Sequence, residues 1–153
     1  MHLRGLKKPR PIKKRKKKVF LGGTCNGSNW RDKVIKNLQL PYYNPVVEGE
    51  WTQKDYRREI KERNTCQYCV YVITPKLTGF YSIAELIDDC HDKSKTTIFC
   101  YLKKEGNDSF TKHQVKSLTA IGRMVKKRGG IWVKSLTELT NLIHQRHKNE
   151  KMI

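Results

Sequence analysis

Tyr68-Cys69-Val70-Tyr71-Val72-Ile73 is a near-continuous apolar and β-branched run, closed by Thr74-Pro75. Six residues without polar alternation predict a strand covered on both faces, since a strand with one wet face would alternate. Downstream, Ser82 opens a predicted helix. Its apolar positions Ile83, Leu86 and Ile87 segregate from the acids Glu85, Asp88 and Asp89 at helical spacing.

The same two-part unit recurs on either side. Val19-Phe20-Leu21, ended by Gly22-Gly23, reads as a buried strand, followed by a helix from Trp30 to Leu38 capped by Ser28 or Asn29. Tyr42-Tyr43-Asn44-Pro45-Val46 reads as the second strand, with a strongly charged helix from Thr52 to about Asn64. After the central unit come the strand Thr96 to Leu102, a polar loop from Lys103 to Ser109, and a helix from about Thr111 to Lys127. That helix carries Val115, Leu118, Ile121 and Val125 on one side. Ile131-Trp132-Val133 is the fifth strand, and Ser135 caps a last helix with Leu136, Leu139, Leu142 and Ile143 on one face.

Five repeats of strand then helix predict an α/β fold: a flavodoxin-like five-stranded parallel sheet with helices on both faces. Ligands of such sheets sit beyond the carboxyl ends of the strands, near the point where strand order reverses. Functional residues are therefore expected in the loops Gly22–Ser28, Asn44–Trp51, Thr74–Ser82 and Leu102–Ser109.

The chain has 153 residues, enough for one domain with one core. Ten of its 33 Lys and Arg residues fall within residues 1–18, which hold no acid, so the rest carries 23 cations against 14 acids. Residues 1–17 are expected to be a disordered basic arm, and residues 18–148 the folded domain. Such a field attracts phosphate, whether on a nucleotide, a nucleic acid or an anionic membrane surface, and does not by itself choose among them. No apolar run is long enough for a membrane span and no secretory signal is evident, so a cytoplasmic protein is expected; Lys13–Lys18 also looks like a nuclear-localisation stretch. The odd set Cys25, Cys66, Cys69, Cys90 and Cys100 disfavours a disulfide framework. Cys66-x-x-Cys69 has the spacing of half a zinc site or of a thiol redox pair, with Cys90-His91 as possible further ligands, but Cys69 lies inside the apolar run, which favours small core residues.

Two local features could carry chemistry. The turn Gly22-Gly23-Thr24-Cys25-Asn26-Gly27-Ser28 leads into a helix whose free N–H groups could receive an anion, though the glycines could equally serve only the turn. Glu85, in the first turn of its predicted helix, could stay ionised beside the helix dipole and attack or stabilise an anomeric carbon. Lys54, Arg57, Arg58, Lys61 and Arg63 share a helix with Asp55, Glu59 and Glu62 and read as a solvated face with i,i+4 pairs. Trp51 is a candidate stacking wall for a base.

Taken together, Val19-Phe20-Leu21-Gly22-Gly23-Thr24, Trp30-Arg31, Tyr43-Asn44-Pro45, Tyr71-Val72-Ile73-Thr74-Pro75 and Gly79-Phe80-Tyr81-Ser82-Ile83-Ala84-Glu85 resemble the nucleoside 2-deoxyribosyltransferase-like proteins over about residues 18–145. The resemblance implies subunits assembled as a homo-oligomer. It also implies a glutamate at the position of Glu85 that attacks C1′ of a nucleoside or nucleotide. By the same likeness Gly22, Gly23, Thr24 and Asn26 border the base and sugar and Asn44 lines the pocket. Gly79, Tyr81 and Ser82 precede the glutamate. The sequence departs from the pattern at Gln67 and Gly79, where aspartates are expected, and at Phe20, where a tyrosine would hold the glutamate; Asp55, Glu48 or Tyr81 could supply the missing acid.

The expected function is N-glycosidic bond chemistry on nucleosides or nucleotides, by 2-deoxyribosyl transfer or hydrolysis, with no metal or organic cofactor required. The rival is a non-catalytic nucleotide- or nucleic-acid-binding protein that grips phosphates through residues 1–18.

Overall fold

Successive residues of the central strand β3 (Cys66–Ile73) serve opposite faces of the sheet: Tyr68, Val70 and Val72 enter one core, Cys69, Tyr71 and Ile73 the other. This computed structural model describes residues 14–25 and 27–152. Most of the basic arm, and Asn26, lie outside the described residues.

Around β3 run β1 (Lys16–Gly23), β2 (Tyr42–Tyr43), β4 (Thr96–Tyr101) and β7 (Ile131–Val133), all parallel, in the order β2-β1-β3-β4-β7. Phe20 pairs with Cys69, Val70 with Ile98 and Cys100 with Val133. The sheet is the expected flavodoxin-like one. Helices α1 (Trp30–Asn37) and α5 (Leu136–Lys151) cover one face through Trp30, Val34, Leu139 and Ile143. Helices α2 (Gln53–Thr65), α3 (Tyr81–Cys90) and α4 (Lys112–Lys127) belong to the other face, where α3 and α4 bury Leu86, Leu118 and Val125. Among the described residues, no helix is long and apolar enough to cross a membrane.

Several expected boundaries move, for physical reasons. Lys16 and Lys17, assigned to the arm, are already in β1, and Arg15 is anchored by Ser94, Asp92 and the carbonyl of Asn64. The second strand stops at Tyr43 because Pro45 has no N–H for a ladder. The loop Lys103–Ser109 contains a small antiparallel hairpin, β5 (Lys104–Glu105) with β6 (Asp108–Ser109), too short and polar to leave a periodicity in sequence. Thr52 and Ser135 do cap their helices, Thr52 as part of a reciprocal box with Asp55. Helix α3 instead starts at Tyr81 behind Phe80, with no side-chain cap, so Ser82 does not open it.

Four cysteines, Cys66, Cys69, Cys90 and Cys100, are buried free thiols as expected of core residues, and Cys25 is exposed. Burial pushes the Cys66 and Cys90 thiols up to about 11, which keeps them protonated.

Candidate active site

At the switch point β1 and β3 are neighbours whose following chains leave for opposite sides, and a cleft of about 310 Å³ opens over their carboxyl ends. That volume is at the lower end of the range for small-molecule sites. Gly22 and Gly23 make its floor. A Cβ on Gly22 would stand 2.7 Å from the Tyr71 ring, and one on Gly23 2.1 Å from the carbonyl oxygen of Val72, with Gly23 at φ +115°. Only glycine lets β1 run so close to β3 here.

The loop after β3 supplies Leu77, Thr78 and Gly79 to the wall, and α3 supplies Tyr81, Ser82 and Glu85. Trp51 and Pro45 close it from the loop after β2. Cys25, Arg31, Pro45 and Trp51 are shared with a second concavity of about 500 Å³, where Asn44 also lies, so the two form one elongated groove. The Asn44 amide oxygen accepts from the N–H of Val46, which shapes that turn.

Glu85 is the fifth residue of α3, beyond its first turn, so the expected dipole stabilisation is not what governs it. Its side chain is only 11% exposed, and burial raises its pKa to about 7 despite Arg63, whose Nε lies 3.5 Å from Oε2. The carboxylate lines the cleft and makes no hydrogen bond among the described residues; this one long ion pair is its close polar contact.

Sequence reading missed a second carboxylate. Glu59 of α2 also lines the cleft, and burial raises its pKa against the pull of Arg31 and Arg63. Like Glu85 it has no hydrogen-bonding side chain or backbone partner among the described residues. Glu59 was indistinguishable in sequence from the other charges of α2, whose apolar period is weak; only packing selects the inward position. Those charges do not form the expected i,i+4 pairs. Glu62 pairs with Lys18 of β1 at 2.8 Å, and the Arg58 guanidinium lies over the Tyr43 ring. Arg63 turns inward to α3.

Arg31 was missed too. It is 4% exposed and donates to the carbonyl oxygens of Leu21, Gly23 and Thr24, 2.9, 3.3 and 2.5 Å away. It has no ion-paired carboxylate among the described residues, and burial lowers its pKa.

Other expected residues fall elsewhere. Thr24 lies buried beneath the cleft, its hydroxyl accepting from the N–H of Thr74. Asp55 does not line the cleft. Its carboxylate caps α2 through Thr52, and those bonds lower its pKa, so it is not the missing acid. Glu48 is exposed and off the wall. Gln67 donates to the Ser94 carbonyl at the amino end of β3, away from the cleft. Phe20 stacks on Tyr43 and offers no hydroxyl to Glu85. From the fourth loop, Glu105 reaches back beneath the groove and accepts from Ser28 Oγ at 2.7 Å and Thr74 Oγ1 at 2.8 Å, tying two of its walls together.

A parallel sheet of this order, with a half-buried carboxylate pair above its switch point, defines the class of the protein. The model of the family described as nucleoside 2-deoxyribosyltransferase like matches residues 16–104, more than half of the chain and every residue of the cleft, and the chain belongs to that family. Membership supports glycosyl transfer on nucleosides as the general activity. No curated protein and no solved structure matches the chain.

Proposed function

We propose that the protein breaks the N-glycosidic bond of a 2-deoxynucleoside or its nucleotide, with Glu85 as nucleophile and Glu59 as proton donor. The observation that carries this is the pair of carboxylates in one cleft, both without hydrogen-bond partners among the described residues. Ionised Glu85 attacks C1′, the C1′–N bond breaks, and its electron pair leaves with the base as Glu59 passes a proton to the base nitrogen. A glycosyl ester on Glu85 remains. Water or a second base then attacks C1′, Glu59 takes up the incoming proton, and Glu85 is released; water gives hydrolysis and a base gives transfer. Glu85, raised by burial to about 7, must be ionised to attack, so the productive state is the one whose proton is on Glu59.

Trp51 supplies a flat apolar wall for the base, and the buried Arg31 at the junction of the two concavities supports a phosphorylated substrate. Phe80 and Tyr81, 73% and 69% exposed beside the cleft, support assembly with a second copy. Incubation with deoxynucleosides and deoxynucleoside monophosphates, with free base followed by chromatography, tests the reading. Turnover is expected in the wild type, with Glu85→Gln at background and Glu59→Gln slowed about 10²–10⁴-fold. No release by the wild type, or unchanged release by Glu85→Ala, refutes it.

A further inference from the structure

Arg63 lies on the helix whose charges sequence assigned to solvent, yet its side chain is 14% exposed and held from several directions. Its Nη2 donates to Asp88 at 2.8 Å and to the backbone carbonyl of Glu85 at 3.2 Å, and Nε donates to the Tyr71 hydroxyl and to Asp89 Oδ2, each at 3.2 Å. Asp89, 2% exposed, is fixed in turn by the Tyr71 hydroxyl at 2.5 Å and Lys95 at 2.6 Å. A guanidinium is a rigid planar fork, and one engaged at both Nε and Nη2 has little freedom to swing away.

We propose that Arg63 is the positioning residue of Glu85, holding the carboxylate at the cleft and favouring its charged, attacking form. This rests on the reading of Glu85 as nucleophile. Two features make Arg63 more than a strut. It is the cation in ion-pair contact with the Glu85 carboxylate, and at 3.5 Å, longer than a hydrogen bond, it orients the oxygen without occupying the lone pair that must reach C1′. It also grips the backbone of the same residue, so side chain and main chain of Glu85 are referenced to one group. Facing Glu85 are Glu59 and Arg63 from α2, Asp88 and Asp89 from its own helix, Tyr71 from β3, and Lys95 just before β4. Glu59 and Asp89 oppose its ionisation; Arg63 and, more weakly, Lys95 favour it.

The test is a pH titration of ¹³C-carboxyl-labelled glutamate by NMR without substrate, with the Glu85 signal assigned by its loss in Glu85→Gln. In Arg63→Gln the Glu85 midpoint is expected to rise by about one unit, a tenfold change in ionised fraction at fixed pH. Arg63→Lys should recover part of that. In turnover, Arg63→Gln should lower kcat about tenfold below the midpoint with KM unchanged, and the deficit should shrink as pH rises. A purely structural role would lower kcat at all pH values alike. If circular dichroism shows Arg63→Gln unfolded, Arg63→Lys decides: it keeps a cation for Asp88 and Asp89 but replaces the planar fork by a single ammonium, so the Glu85 midpoint should still rise, by less than about one unit. An unmoved midpoint in Arg63→Gln, or in Arg63→Lys where that variant decides, overturns the proposal. A shifted midpoint without any wild-type turnover leaves the coupling standing and removes the catalytic reading instead.

Discussion

The two faces of the sheet draw on alternate residues of the same strands, yet they are built differently. Under α1 and α5 the interior is apolar apart from Arg31 of α1 and Thr140 of α5, with Val19, Leu21, Val70, Val72, Leu139 and Ile143 at or near zero exposure. Under α2 and α3 the apolar side chains share space with Arg63, Asp89, Lys95 and the Tyr71 hydroxyl. Buried ion pairs give little net stability over an apolar replacement, but losing one partner is costly. The contrast shows one face holding the domain together while the other holds charge in place beside the cleft.

The largest expected break comes on the apolar face. Leu139→Ala should cost about 2–5 kcal/mol in urea or thermal unfolding, by lost burial and the cavity left behind, while leaving the Glu85 titration unmoved. A moved titration would mean the faces are not separable. On the charged face, Lys95→Met should cost about 3 kcal/mol, because Asp89 keeps Arg63 but loses its closest cation, and here the Glu85 midpoint should rise.

A subtler difference appears with pH. Glu85 titrates near 7 in the folded protein and near 4.5 unfolded, so between those values the folded state holds a proton that the unfolded state has released. Its contribution to stability is therefore fully present below about 4.5 and lost as pH rises through 7, by at most about 3 kcal/mol. Glu85→Gln should match the wild type at pH 4 and exceed it in thermal stability at pH 8. A wild type no less stable than the variant at pH 8 contradicts the burial of that charge. The smallest effect belongs to neither face: Thr111→Ala, which removes the capping box at the start of α4, should cost about 1 kcal/mol at any pH between 5 and 9.

This division also explains what could be read in advance. The run Tyr68–Ile73 and the apolar periods of α3, α4 and α5 record burial directly, so the strand order class and helix positions were legible. Glu85 was legible as a carboxylate after the central strand. Glu59, Arg31 and Arg63 were not, because a charged residue shows no periodicity when it is buried by contact with other elements rather than by its own helix face. The β5–β6 hairpin escaped because four polar residues leave no pattern.

Arg15 gives the chain a fixed point of entry. Its bonds to Ser94, Asp92 and the Asn64 carbonyl lie at the amino ends of the strands, whereas the groove lies at their carboxyl ends, about 25 Å away along an eight-residue strand. An affinity handle or fluorescent fusion joined ahead of Lys14 therefore attaches at the pole remote from substrate entry, and truncation for a minimal crystallisable domain should stop short of Arg15.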